Sequence, residues 1–549
     1  MIKILLMVMG LLGALLSATC QITAPSKYWI QFTDKNGSPY SIGQPSEFLS
    51  QRAIDRRQRF GIPIQTADLP VNPHYIDQVL STGTVVLIHR SRWFNGITIH
   101  TADSLALESL NHLPCVNTVE PVKRLYAAAE RSERKERIQT QQGTATGDAY
   151  GQAKGQVLQM QLDFLHNAGF KGSGLHIAVI DAGFRGVDTL EAFQSLMTSG
   201  RMLGTHDFVD GDQAVFAHST HGTMVLSTMA ANWPDKMIGT APEASYWLLR
   251  SEEDRFETLL EEDNWIAAAE FADSAGVDII NTSLGYNTFD DPSQDHSYEQ
   301  LDGKTLRMSI AQNLAAFRGI LMVTSLGNEG TSRWKKLTVP ADADSVLAVG
   351  GVTPNGSFSR LASIGPTYDE RIKPNVAAQS ELVAVASTGN VLLTAAGTSF
   401  ASGLVAGGAA CLWQAFPQYR NMDVFDAIEQ SGHRASRPDN EVGHGIPNFF
   451  RAYDDLSNRN LVVVEDFIRV YPNPATEQVT IAFFSVSEQR VEVQVNDLTG
   501  RTVYFDQFAA LEGRNLFDLE WEGLAPGIYT VVLITNDGIL EETVIRQTP

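Results

Sequence analysis

Cysteine is nearly absent from this chain: three residues among 549, at Cys20, Cys115 and Cys411. A disulfide framework is therefore excluded as the source of stability. Basic charge is in deficit, with 41 Lys and Arg against 63 Asp and Glu and a formal net charge of −22. That balance argues against a nucleic-acid binder. Long apolar runs are missing as well. Past the N-terminal segment, no stretch has 18 uninterrupted apolar residues, so nothing there reads as a membrane-spanning helix. Ordinary core material is plentiful. Hydrophobic residues make up 43% and charged residues 19%, which excludes wholesale disorder. The length suits roughly three or four domains.

Charge is unevenly placed. Residues 1–155 hold 16 Lys and Arg against 12 Asp and Glu, and the remainder holds 25 against 51. A mildly basic first part and a strongly acidic remainder attract one another.

Residues 1–20, MIKILLMVMGLLGALLSATC, place one Lys before an apolar run and small residues after it. This is the pattern of a secretory signal peptide, and cleavage after Cys20 leaves Gln21 first. A lipoprotein reading of Cys20 is weaker, because Ser17 and Thr19 sit where such signals favour other residues. The expected location is extracellular or on the outer cell surface.

Composition divides the rest of the chain into four parts. Residues 21–122 read as a small α+β domain, with strands at 27–33, 84–90, 94–100 and 116–122 and a helix at 45–60 whose basic residues face outward. Residues 123–155 read as a polar linker and processing region, with a basic cluster at Arg131, Arg134, Lys135 and Arg137. Residues 156–455 alternate continuous apolar strands with helical stretches. Strands are expected at 176–180, 244–250, 277–281, 319–325 and 345–351, and helices at 222–232, 262–275, 304–317 and 399–415. This is the βα alternation of an α/β domain with a doubly wound, mostly parallel sheet. Residues 456–549 hold short alternating strands between Gly, Pro and Asn turns, as in a small β-sandwich.

Four segments of the α/β region carry chemistry. HIAVIDAGF (176–184) puts Asp181 just after a buried strand. HSTHGTMV (218–225) puts His221 at the opening of a helix. TSLGNEG (324–330) puts Asn328 in a turn after another strand, and AAGTSFASGLVAG (395–407) puts Ser399 at the start of an Ala- and Gly-rich helix. Open α/β sheets place their sites at such strand ends and helix N-termini. A serine hydroxyl is a poor nucleophile until a base takes its proton. His221 suits that task, since imidazole titrates near neutrality. Asp181 can hold the imidazole in the right tautomer. The backbone N–H groups at Ser399 and the Asn328 amide can hold a developing oxyanion. Each residue alone has a structural reading as a cap or turn. The four together, at the right element boundaries, point to acyl transfer.

In that order the segments resemble subtilases, the subtilisin-like serine proteases. VIDAGF, HGTMV and GTSFASGLVAG resemble the family's aspartate, histidine and serine blocks, and GNEG its oxyanion asparagine segment. GTAPEA (239–244), NTSLGY (281–286), KPNVAA (373–378) and GHGIPN (443–448) support the match. The resemblance implies a secreted serine endopeptidase made as a zymogen, with Asp181, His221 and Ser399 as the triad and Asn328 in the oxyanion hole. Ser283, Leu284 and Gly285 would line one wall of the cleft, where an extended peptide pairs as an added strand. His218 is expected to play no catalytic part, because Gly-Thr follows only His221. One departure is Gly403, where the family usually carries Pro; glycine there should loosen the helix's first turn. Residues around Thr338, at the expected base of the primary specificity pocket, align poorly.

The flanking domains carry resemblances of their own. FLSQRA, LPVNP and SRWFNG (48–53, 69–73 and 91–96) resemble an unusual subtilase prodomain, which implies a chaperone-like inhibitor docked on the catalytic face. VYPNPATEQVTI (470–481), NDLTGRTVY (496–504) and APGIYTVVL (525–533) resemble the type IX secretion sorting domain of Bacteroidetes, which implies outer-membrane secretion machinery as a partner. Protein or peptide substrates and the chain's own prodomain are the other partners expected, and no nucleic acid is. The chemistry needs no cofactor; calcium is common in the family, but no ligand loop here is specific enough to name. The alternative is a catalytically dead subtilase scaffold acting as a cell-surface binding protein. An esterase is disfavoured, because the serine lies in G-T-S-x-A rather than G-x-S-x-G.

Overall fold

The strand sequences of the α/β region are apolar on both faces because both faces are covered. Side chains alternate across a strand. In β5 (His176–Asp181), Ile177 and Val179 therefore enter one core, while Ala178 and Ile180 enter another. The computed structural model describes residues 26–123, 149–459 and 468–547, apart from 472, 474, 476, 477, 486, 512, 521, 522 and 537. The signal segment with Cys20, and the basic cluster Arg131, Arg134, Lys135 and Arg137, lie outside the described residues. The chain forms two units, Met1–Leu456 and Ser457–Pro549.

In the first unit, β1 (Lys27–Phe32), β2 (Val86–Ser91), β3 (Gly96–His100) and β4 (Val116–Lys123) form an antiparallel sheet in the order β2-β3-β1-β4. One face carries Tyr28, Ile30, Ile97 and Ile99 against a helix at Pro73–Leu80 and another at Ser104–Leu110. The peptidase-like region holds a seven-stranded parallel sheet. Besides β5 it contains β6 (Met202–Asp207), β7 (Ser245–Arg250), β8 (Ile279–Thr282), β9 (Leu321–Ser325), β10 (Val346–Val352) and β11 (Val376–Gln379), in the order β11-β10-β9-β8-β5-β7-β6. Strand order reverses beside β5, and there both Asp181 and the segment after β8 leave the sheet at its carboxyl end. Ala153 and Val157, on the approach to β5, are already buried in this core.

Helices cover the two faces. The His221–Ala230 and Thr398–Ala415 helices pack on the Ile177 side, and the Leu259–Ala275 and Arg307–Phe317 helices on the Ala178 side. The Leu259–Ala275 helix starts on a Thr258–Glu261 capping box and stops at Gly276, whose φ of +83° suits glycine. Gly403 does not loosen its helix, contrary to expectation. The helix runs unbroken from Thr398 to Ala415, and a Cβ on Gly403 would lie 2.3 Å from Thr228 Oγ1. Gly407 is tighter, with Thr240 Oγ1 at 1.9 Å from such a Cβ. These glycines let neighbouring helices and loops approach. Cys411, in the same helix, is fully buried with its Sγ 3.0 Å from the Thr240 carbonyl.

The basic residues expected on the outer face of the 45–60 helix in part face inward. The helix proper is Gln51–Phe60, capped by Ser50, which accepts from Ala53 N, and by Gly61. Arg56 and Arg57 are buried against Asp273 of the Leu259–Ala275 helix, at 2.5 and 2.9 Å. Arg92 reaches the same carboxylate at 2.5 Å, and Arg52 pairs with Asp278. Glu270 accepts from Ser91 Oγ at 2.6 Å and from Arg92 N at 2.8 Å. Thr98 bonds Asp263, His89 bonds Asn264, and Trp29 and Val122 pack on Leu260. Burial alone pushes the Asp273 carboxyl up, but Arg57, Arg92 and Arg56 outweigh it and hold it well below the usual range.

The second unit is a β-sandwich. A three-stranded sheet (Ile468–Tyr471, Gln478–Ser485, Gly513–Glu520) faces a four-stranded one (Thr502–Ala510, Gln489–Asp497, Gly527–Ile534, Ile539–Arg546) across a core that includes Val479, Ile481, Val493 and Val531. Among the described residues no helix is long and apolar enough to cross a membrane.

Candidate active site

Asp181 ends β5 and is fully buried. Its Oδ1 lies 2.6 Å from His221 Nδ1 and accepts from the Ala182 N–H at 2.8 Å. His221 opens its helix, and Gly222 comes next because nothing larger fits. A Cβ at Gly222 would meet the Gly183 carbonyl at 2.5 Å and Asp181 Cβ at 2.9 Å. A carboxylate on Nδ1 fixes the imidazole with its proton on that nitrogen, which leaves Nε2 as the basic atom. The His221 ring lies 6.2 Å from the ring of Phe400, the residue after Ser399.

Ser399 sits in the first turn of the Thr398–Ala415 helix, and its Oγ donates to the Ser283 carbonyl at 3.3 Å. The N-terminal turn of a helix attracts negative charge. Asn328 faces the same turn. Its Oδ1 accepts from Thr398 N at 2.9 Å and from Thr398 Oγ1 at 3.0 Å. A backbone N–H can only donate, so the amide oxygen is committed to Thr398 and the NH₂ is turned the other way. Thr398 thus aims the Asn328 amide. Sequence reasoning passed over it, although its place between Gly397 and Ser399 was a signal.

The 283–285 segment runs beside the Ser399 turn. Ser283 turns its hydroxyl onto the helix, donating to the Ser399 carbonyl at 3.0 Å, with Ser402 Oγ at 3.1 Å. Leu284 is buried. The side chain of Ser283 therefore braces the Ser399 turn, and its main chain is the part that faces the hydroxyl.

His218 has carboxylate neighbours of its own. It stands 3.6 Å from Asp207 and 3.8 Å from Asp210. Among the described residues these three are the one group placed to share a metal ion. Arg250 Nη1 already bridges both carboxylates, at 2.6 and 2.8 Å. Calcium needs six to eight oxygens, so these residues do not fit it. At the far end of β4, Lys123 Nζ is 3.5 Å from Glu253 and 4.9 Å from the Phe256 ring centre, which puts the end of the prodomain sheet against the segment after β7.

Comparison with known proteins defines the class. Residues 172–445 match the subtilase family, residues 27–140 the peptidase S8 propeptide domain of Bacteroidota, and residues 469–547 the secretion system C-terminal sorting domain. The chain carries a subtilase domain between a propeptide domain and a sorting domain. It is similar to subtilisin NAT of Bacillus subtilis subsp. natto, with 29% identity over 280 residues that cover 50% of this chain and 65% of that protein. Subtilisin BL of Lederbergia lenta is 27% identical over 299 residues, covering 53% of this chain and 95% of that protein. Among solved structures, the MycP3 protease from the type VII (ESX-3) secretion system aligns with 22% identity and a TM-score of 0.43, over 59% of this chain and 93% of that one. This chain thus spans less than two thirds of the length of subtilisin NAT.

Proposed function

We propose that the chain is the zymogen of an exported serine endopeptidase that cleaves proteins through an acyl-enzyme. Ser399 Oγ attacks the scissile carbonyl while His221 takes its proton. Asp181 orients His221 and stabilises the imidazolium. Asn328 and the Ser399 N–H hold the oxyanion. The acyl-enzyme forms as the amine leaves with the proton from His221. Water, activated by the same base, then releases the acid and frees Ser399. The observation that carries this reading is the 2.6 Å contact of a fully buried Asp181 with His221 Nδ1, beside a serine in a helix's first turn. The propeptide domain, with its sheet ending at Lys123, supports inhibition until processing. The sorting domain supports export through a dedicated secretion system, with release or surface attachment.

The test compares the full chain with Ser399→Ala, each incubated with casein and with a serine-reactive fluorophosphonate and read by intact mass. The parent should cleave casein, take one label and lose its prodomain, and the variant should do none of these. A processed parent that neither labels nor cleaves would leave the binding-scaffold alternative in its place.

A further inference from the structure

We infer that Arg250 is a positioning residue for the triad carboxylate: paired with Asp207, it holds the turn that aims Asp181 at His221. The inference rests on the protease reading above. Three neighbouring strands stop at one level of the sheet, β5 on Asp181, β7 on Arg250 and β6 on Asp207. Their last residues are in register, Asp181 beside Arg250 and Arg250 beside Asp207. Side chains alternate across a strand. Leu248 and Tyr246, two and four residues before Arg250, lie in the same core as Val179 and Ile177. Asp181 and Arg250 therefore continue two apolar rows, on the face where the His221–Ala230 helix packs.

The rows end in buried charge. Asp181 and Asp207 are fully buried, and Arg250 is 5% exposed. A buried ion pair adds little stability over apolar residues of the same volume, so stability alone does not account for it. Its contacts do. Arg250 Nη1 donates to Asp207 at 2.6 Å and to the exposed Asp210 at 2.8 Å. Burial opposes the guanidinium's charge, but Asp207 and Asp210 outweigh it and push its pKa up. Asp207 is itself tied down, its Oδ1 accepting from Val209 N and Asp210 N at 2.8 and 3.0 Å. Anchored there, Arg250 turns its Nε to the Ala182 carbonyl at 3.2 Å. The Ala182 N–H is the group that holds Asp181 Oδ1, at 2.8 Å. Ser251 N, next after Arg250, donates to the Asp181 carbonyl at 3.1 Å. Ala182 is thus fixed at its N–H by Asp181 and at its carbonyl by Arg250. Gly183 leaves no slack, since a Cβ there would lie 2.7 Å from His218 Cβ. Removing the guanidinium frees one end of the turn and lets the carboxylate swing off Nδ1. The same row acts through space. The Arg250 cation disfavours the imidazolium of His221, and the Asp207 and Asp210 carboxylates favour it. On the same segments, His218 stands 3.6 Å from Asp207, and the exposed Arg185 bonds the Ala217 carbonyl.

The experiment uses the self-processed full chain and a peptide anilide that it cleaves. It measures kcat, KM and the acid limb of kcat/KM, each per folded molecule. Arg250→Met should lower kcat by about 10- to 100-fold with KM within about twofold. It should also move the acid limb up by about half a pH unit, because Asp207 and Asp210 then act on His221 unopposed. Asp210→Asn, at an exposed position that folding tolerates, should move the limb down by less. Arg250→Lys keeps the charge but not the fork, so the limb should return to its parent place while kcat recovers only in part. A residue that merely supports the fold would change the folded fraction and leave kcat and the limb of the folded molecules alone. If Arg250→Met does not fold, Arg250→Lys and Asp210→Asn carry the comparison. Parent kcat in Arg250→Lys with a parent limb in Asp210→Asn, or limb shifts of one sign in Arg250→Met and Asp210→Asn, overturn the inference and leave the protease reading intact. A parent that neither cleaves casein nor takes the fluorophosphonate label overturns the protease reading, and the inference with it.

Discussion

Asp273 is the residue on which the prodomain's grip should depend most. Its carboxylate is fully buried and takes Arg56, Arg57 and Arg92 of the prodomain at 2.5 to 2.9 Å. Asp273→Asn keeps the shape and removes the charge, leaving three crowded guanidiniums with only Asp68 beside Arg57 and Glu270 beside Arg92. Removing one partner of a buried ion pair costs about 3–5 kcal/mol. If that cost falls on docking, prodomain opening rises by roughly 150- to 5,000-fold. The assay is hydrogen exchange by mass spectrometry in a Ser399→Ala background, so that the prodomain stays attached. Amides of Gln51–Phe60 and of Ser91–Trp93 should lose protection by that factor, while those of the Gln489–Asp497 strand in the tail keep theirs. The effect should hold across neutral pH. The Asp273 pKa is depressed, so its contribution is present above the ordinary carboxylate range and lost only as pH falls through the lower value. Protection within about fivefold of the parent would refute the reasoning.

The same geometry sets two other outcomes. Asn328→Ala should lower turnover by roughly 10²–10³-fold with little change in fold, measured as kcat on a peptide anilide that the parent cleaves; an unchanged kcat would remove Asn328 from the oxyanion hole. Burial lowers the His89 imidazole to about 4, so its contribution to docking is complete above the ordinary value of 6.5 and lost as pH falls through about 4. In the Ser399→Ala background the melting temperature should therefore fall less between pH 7 and pH 4 in a His89→Gln variant than in its parent. Equal falls would count against it.

Much of the fold was legible because periodicity and burial agreed. Strands such as His176–Asp181 and Val346–Val352 are buried on both faces, and they read as continuous apolar runs. The edge strand Met202–Asp207 escaped, because its residues are mostly half-buried and alternate with nothing apolar enough to notice. The Pro73–Leu80 helix was missed because it spans only eight residues, too few to show a helical period clearly. Motif and position together singled out Asp181, His221, Asn328 and Ser399, and the structure brings Asp181 to His221 and Asn328 to the Ser399 turn. What the sequence could not show was direction. The 45–60 segment reads as helix, but only the carboxylate of Asp273, over two hundred positions away, makes Arg56 and Arg57 inner residues. Gly403 likewise reads as a weak turn until Thr228 is seen against it.

The Leu259–Ala275 helix brings Asp263, Glu270 and Asp273 to the prodomain. On the zymogen reading proposed above, removal of the prodomain would turn those carboxylates to water, where an acidic helix favours a dispersed protein. A single row of side chains would then serve two successive lives of the molecule, first as the latch of the precursor and then as the wetted surface of the product. Selection acting on either life is felt by the other.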